Sequence, residues 1–279
     1  CIVNSQRDCR ELHALMPEGT VHLSALMCGE ERSVVISEIK EKLRNNEPIR
    51  VISTQLVEAG VDIDFPVVYR ALAGFDSIAQ AAGRCNREDK LSRFGQKGKF
   101  VVFVPPKPAP PGLLRKGEDT CKEIIRNQEI HSLSPHLFTE YFQQFYQSVN
   151  TMDQPQFYDR LVKEARDFKF QFRTFAQNFH LIDNQMYQSI VVWYENPKNG
   201  HNSIELIKLL RNKGDERYWL MKKLQRFLVN VPAPLVMQFQ KLDYVEEVFG
   251  IYVQKWNGLY KNGIGLQLDN PLLHENLVF

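Results

Sequence analysis

Cysteine is scarce: five residues in 279, an odd number with no C-x-x-C spacing. That argues against a disulfide framework or a cysteine zinc site and fits a reducing compartment, so a cytoplasmic protein is expected. No apolar run approaches the ~20 residues needed to span a bilayer. No secretory leader pattern opens the chain, and no membrane partner is expected. An excess of one charge is missing too. Thirty-five Lys and Arg against 33 Asp and Glu leave a formal +2, so any nucleic-acid surface must be local. The histidines (His13, His22, His131, His136, His180, His201 and His274) are scattered without metal-ligand spacing, and no metal site is expected. There is no G-x-x-x-x-G-K-[ST] phosphate loop, no D-E-x-x box accompanying one, and no paired His-Asp nuclease cluster. Alone, the chain is expected to be inactive in ATP hydrolysis and in cutting nucleic acid.

What is present is globular. Hydrophobic residues make up 43% and charged residues 24%, enough for one large domain or two ordinary ones. The first residue, Cys1, opens C-I-V-N-S, which reads as a core strand, so the chain is expected to be a piece of a longer one. Residues 1–104 alternate strands and helices: strands at 1–5, 20–26, Ile49–Ser53, Val67–Arg70 and Lys99–Val104, with helices over Gln6–Met16 and Glu30–Asn45. Such alternation predicts an α/β domain whose parallel sheet is flanked by helices. P-P-K-P-A-P-P-G at 105–112 is a stiff extended connector. Helical periodicity from about 117 to 175 carries Phe138, Tyr141, Phe142, Phe145, Tyr146, Phe168, Phe170, Phe172 and Phe175, read as core. After 176 the pattern turns strand-like in Q-S-I-V-V-W-Y, R-F-L-V-N-V-P and G-I-Y-V-Q, with one helix at Ser203–Arg211. The expected division is 1–104, a helical linker at 105–175, and a smaller α+β domain at 176–279.

The informative stretch runs from Val51 to Arg87. V-I-S-T-Q-L-V-E-A-G-V-D-I-D-F is an apolar strand giving way to a turn with Ser53, Thr54, Gly60 and Asp62. Q-A-A-G-R-C-N-R places Gln80, Arg84 and Arg87 at i, i+4 and i+7, one face of a helix. Fixed guanidiniums suit a transferring phosphoryl group, whose charge is spread over several oxygens. Ser53 and Thr54, with Asn4 and Ser5 on the first strand, lie at strand carboxyl ends, where open α/β sheets bind ligands. Lys208, Arg211, Lys213, Arg217, Lys222, Lys223 and Arg226 cluster around Tyr218 and Trp219. That composition suits a single nucleic-acid strand, and it equally suits a solvated helix face with a buried Trp.

The two blocks resemble motifs V and VI of superfamily 2 helicases, and C-I-V-N-S is similar to motif IV. The wording of the whole stretch, with D-S-I-A-Q-A-A-G-R-C-N-R-E in place of a histidine-led motif VI, resembles the CRISPR-associated helicase–nuclease of type I interference, most of all its type I-C branch. The resemblance implies a second RecA-like domain over 1–104, then a linker helix and a lid over a DNA channel. It implies ATP and Mg²⁺ in the parent protein, with the metal outside this fragment. Arg84, Arg87 and Gln80 would act in catalysis; Asp62, Gly60 and Gly83 at the nucleotide; Ser53, Thr54, Asn4, Ser5, Lys222 and Lys223 at the nucleic acid. Implied partners are single-stranded DNA, a CRISPR surveillance complex, and the N-terminal nuclease and first RecA-like domains of the same protein. Two alternatives stay open: a helicase of another branch acting on RNA or in repair, and a non-catalytic docking module that could bind a protein inhibitor.

Overall fold

The computed structural model describes residues 1–58, 60–130, 132–149, 158, 162–163, 172–173, 187–212 and 217–267. Its first part is a parallel sheet. β1 (Val21–Leu23) pairs with β2 (Val51–Ser53), and β3 (Val67–Ala71) pairs with β4 (Lys99–Phe103). The opening segment lies between the two pairs: Ile2 bridges both Ser53 and Arg70. Its backbone bonds run from Val3 N to Ser53 O at 2.9 Å and from Ile2 N to Tyr69 O at 2.8 Å. The expected strand over 1–5 is thus a short central rung, because Ser5 already caps α1 (Gln6–Leu15) by accepting from Asp8 N at 3.0 Å. The strand expected over 20–26 ends at Leu23, where a turn closed by Met27 N on Ser24 O takes over.

The predicted second helix is α2 (Gly29–Arg44), with Glu30 and Glu31 in its first turn and Lys42 and Arg44 in its last, the order the helix dipole favours. Ile2, Leu23, Ile39, Val51, Ile63, Val68 and Ala81 form the core beneath it. α3 (Phe75–Ala82) follows β3.

The proline-rich connector is pinned. Ala109 is buried, and its N–H donates to Glu118 Oε2 at 2.5 Å. Beyond it, α4 (Leu113–Asn127) and α5 (Pro135–Ser148) pack Cys121, Ile124, Leu137 and Tyr141 on Leu72, Phe75 and Ile78. Packing is therefore continuous across residue 104. Phe138, Tyr141, Phe142 and Phe145 are core, as expected, whereas Tyr146 and Phe172 are exposed, against that expectation; Phe168, Phe170 and Phe175 lie outside the described residues.

The last part holds a four-stranded mixed sheet in the order β6-β5-β8-β7: β5 (Tyr187–Val191), β6 (Leu228–Pro232), β7 (Val245–Val248) and β8 (Ile251–Gln254). α6 (Ser203–Asn212), α7 (Arg217–Leu224) and α8 (Ala233–Lys241) accompany it. α7 and α8 are additional to the single helix read from sequence. A small hairpin, β9 (Tyr260–Lys261) with β10 (Gly265–Leu266), closes the described residues.

Candidate functional site

The arginine motif is built differently from its spacing. α3 ends at Ala82, and Gly83 caps it with its N–H on Ala79 O at 2.9 Å. Arg84 and Arg87 therefore leave the helix, and the expected single helical face with Gln80 is not formed. Cys85 instead bridges Phe65, fixed by Phe65 N on Arg84 O and Asn86 N on Phe65 O, both 2.9 Å. Asn86 takes a left-handed φ of 48°, which asparagine tolerates and which turns the chain away. Gln80 sits exposed in the last turn of α3.

This path brings Arg84 and Arg87 against the turn after β2. One Arg84 terminal nitrogen donates to the Glu58 carbonyl at 2.7 Å, while its buried Nε has no hydrogen-bond partner. Arg87 is exposed, ion-pairs with exposed Asp62, and its backbone N–H donates to Asp64 Oδ1 at 2.7 Å. Gly60, at φ +73°, gives that turn a conformation other residues take only under strain. Two guanidiniums held beside one turn, one half-buried and one exposed, are a donor set suited to phosphate oxygens.

The strand-end residues are less available. Ser53 is buried, and its hydroxyl bonds Leu23 O and Thr54 O, both at 2.9 Å. Asn4 is buried too, donating to Leu72 O and accepting from Arg70, at 2.7 and 2.6 Å. In this structure both side chains are taken up by bonds within the fold. Thr54 is buried at the same edge, and Ser5 is half-buried at its cap.

Sequence reasoning missed Arg70. Its side chain is fully buried, with Nε 2.7 Å from Glu58 Oε1. Its terminal nitrogens reach Ser77 Oγ at 2.7 Å, Asn4 Oδ1 at 2.6 Å and the Ala71 carbonyl at 2.9 Å. Burial pushes the Glu58 carboxyl above its ordinary range, partly offset by the Arg70 charge and the Ser77 hydrogen bond. A single charge inside the apolar run V-V-Y-R-A-L was the available signal.

A second surface lies on α7. Lys222 and Lys223 are exposed, and Lys223 Nζ sits 4.0 Å above the Trp219 ring. Tyr218 is 84% and Trp219 50% exposed, so the buried-Trp alternative is set aside. Arg211 and Arg226 are engaged with Glu246 and Glu30; Lys213 and the Arg217 side chain lie outside the described residues. Among the described residues no group of three His, Cys, Asp or Glu could hold a metal ion, and no helix is long and apolar enough to cross a membrane.

The parallel sheet, with its arginine-bearing segment packed on the turn after β2, defines an α/β unit. Residues 2–90 match the family model described as CRISPR-associated nuclease/helicase Cas3, C-terminal. A CRISPR-associated nuclease/helicase Cas3 of Haloferax volcanii is 46% identical over 71 residues, 25% of this chain and 7% of the relative. One of Methanothermobacter thermautotrophicus is 23% identical over 269 residues, 88% of this chain and 31% of its own length. The crystal structure of T. fusca Cas3 superposes with a TM-score of 0.59 at 15% identity, covering 100% of this chain and 38% of that one. A chain of a CRISPR RNA-guided surveillance complex, pre-nicking, gives 0.52 at 14%, covering 95% and 39%. Over residues 2–90 the chain is thus similar to the C-terminal part of Cas3, and it spans about a third of the length of the relatives it matches throughout.

Proposed function

We propose that this chain is the C-terminal half of an ATP-dependent superfamily 2 translocase on single-stranded DNA. A nuclease in the N-terminal part of the same cytoplasmic protein degrades invader DNA with it, directed by a CRISPR surveillance complex. The observation that carries the reading is the convergence of Arg84 and Arg87 on the Glu58–Asp64 turn. The names of the relatives, which join nuclease to helicase, support it, as does the likeness to a solved structure titled Cas3-ATP, at a TM-score of 0.59. The motif wording favours the type I-C branch.

In this reading residues 1–104 are the second RecA-like domain, 105–175 the linker and 176–279 a lid. ATP, when bound, supplies the phosphoryl group passed to water, and Mg²⁺ is held with it by the first RecA-like domain. Arg84 and Arg87 place fixed positive charge on the equatorial oxygens. Asp62 holds Arg87 between turnovers, and the exposed Gln80 amide orients water. Gly60 and Gly83 let backbone approach the nucleotide closely. Lys222 and Lys223 neutralise DNA phosphates while Tyr218 and Trp219 offer faces to bases.

In the full-length protein Arg84→Ala or Arg87→Ala should lower kcat for ATP by roughly 10³-fold, as loss of an arginine finger does. Nucleotide affinity should change far less, and this chain alone should hydrolyse no ATP above background. Near-normal turnover in both variants would reduce the arginines to a packing role.

A further inference from the structure

We propose that Glu58 and Arg70 are positioning residues for Arg84. The inference rests on the reading that Arg84 faces the nucleotide. Glu58 has two faces. Its carboxylate points inward, with Oε1 2.7 Å from Arg70 Nε and Oε2 accepting from Ser77 Oγ at 2.7 Å. Its backbone carbonyl accepts from the Arg84 guanidinium, also at 2.7 Å. Fixing the carboxylate therefore fixes the acceptor that aims Arg84.

The anchor draws on four separate segments. Arg70, from β3, takes Ser77 of α3 and Asn4 after the opening strand as further partners, and Glu58 belongs to the turn after β2. Ser77 Oγ donates to Glu58 and accepts from Arg70, so its hydroxyl is used in both directions.

Stability does not explain the choice of residues. Taking two charges out of water costs about what their attraction returns, and apolar pairs of similar volume often serve as well. What the pair adds is orientation, through the directed hydrogen bonds around it: Arg70 to Asn4, Ala71 and Ser77, and Ser77 to Glu58. Among the described residues, the catalytic candidate that hydrogen-bonds the Glu58 backbone is Arg84. Misplacing a reacting or stabilising group by about 1 Å can cost ~10²-fold in rate, so such an anchor has a defined effect to exert.

The test uses the full-length protein and three changes: Glu58→Gln, Ser77→Ala, and the pair Glu58→Leu with Arg70→Met. The pair removes both buried charges together, so no lone charge is left inside. We expect kcat for ATP to fall by about 10²-fold in Glu58→Gln and in the pair, and by less in Ser77→Ala. Nucleotide affinity should stay near wild type, while the thermal midpoint of the pair should fall, because Asn4 Oδ1 and Ser77 Oγ lose Arg70 as a partner; kcat is therefore compared well below that midpoint. The deciding measurement places the pair on an Arg84→Ala background. If Glu58 and Arg70 act through Arg84, turnover there falls no further. Wild-type kcat in the folded pair overturns the proposal, as does an equal further fall on that background. Should Glu58→Gln be insoluble, the pair and Ser77→Ala decide. An inactive Arg84→Ala beside an active pair removes the positioning role and leaves the nucleotide reading standing. An active Arg84→Ala removes both.

Discussion

His22 on β1 enters the interior as a neutral ring. It is 2% exposed, neither ring nitrogen has a hydrogen-bond partner, and the His13 ring stands edge-on 5.5 Å away. Burial, helped by the charges of His13 and Arg10, pushes its pKa from 6.5 down to about 3. Between those values the unfolded chain binds a proton that the folded chain refuses. Stability from the neutral ring is full above about pH 6.5 and is lost as pH falls toward 3, at about 1.4 kcal/mol per pH unit. His22→Leu should therefore be less acid-sensitive than wild type, with a relative gain near 2 kcal/mol on going from pH 7 to pH 5. Urea denaturation of both proteins at the two pH values measures it. Parallel losses in the two would assign the acid sensitivity to other groups.

Among the elements, α3 is held at its start. Its first turn carries Asp76, which accepts from the Tyr141 hydroxyl of α5 at 2.9 Å, while Gly74 lies directly beneath that hydroxyl. Gly74 has φ −62° and ψ 153°, comfortable for any residue, so its need for glycine is steric alone. A Cβ there would overlap the Tyr141 oxygen. Gly74→Ala should cost about 1–3 kcal/mol by overpacking, and a smaller amount in a Tyr141→Phe background, where the hydroxyl is gone. Additive effects in that double-mutant cycle would show that the two residues do not meet.

The same helix shows which parts of the fold were legible from sequence. β2, β3, β4, α1 and α2 follow from apolar periodicity, which the chain reports locally. The arginines defeated a spacing argument because Gly83 ends the helix and Asn86 turns left-handed, two single residues overruling a helical repeat. α8 was hidden by Pro232, which ends the strand and also caps the helix, and by Pro234, which sits in the helix's first turn, where no amide donor is needed. The Arg70–Glu58 pair depends on contacts between segments twelve and more residues apart, beyond any local pattern.

At the scale of the whole molecule, the two sheets are joined through the start of α2. Leu26 and Cys28 belong to the same core as Ile190, Val229 and Val253, and Leu266 N donates to Leu26 O at 2.9 Å. Glu31 is buried; it accepts from the Tyr260 hydroxyl and, at 2.6 Å, from Gly263 N, while that hydroxyl also accepts from Cys28 N at 2.9 Å. Glu30 accepts from Asn196 and Asn199 at 2.7 and 3.1 Å and contacts His201 Nδ1 at 3.0 Å. Burial alone would raise the Glu30 carboxyl, but those hydrogen bonds outweigh it and hold the pKa below 4.5. The contribution of Glu30 is then present above about pH 4.5 and lost as pH falls through its lower folded value. Two neighbouring acids thus tie the parallel sheet to the mixed one, and neither unit should melt alone. Wild type should give one calorimetric transition at pH 7. Tyr260→Phe leaves a buried carboxylate oxygen and the Cys28 amide short of a partner, at about 1–3 kcal/mol. Combined with Glu30→Ala it should lower the midpoint and separate the transition into two. A single transition with an unmoved midpoint in the double variant would mean that the apolar contacts of Leu26 and Cys28 carry the coupling without the acids.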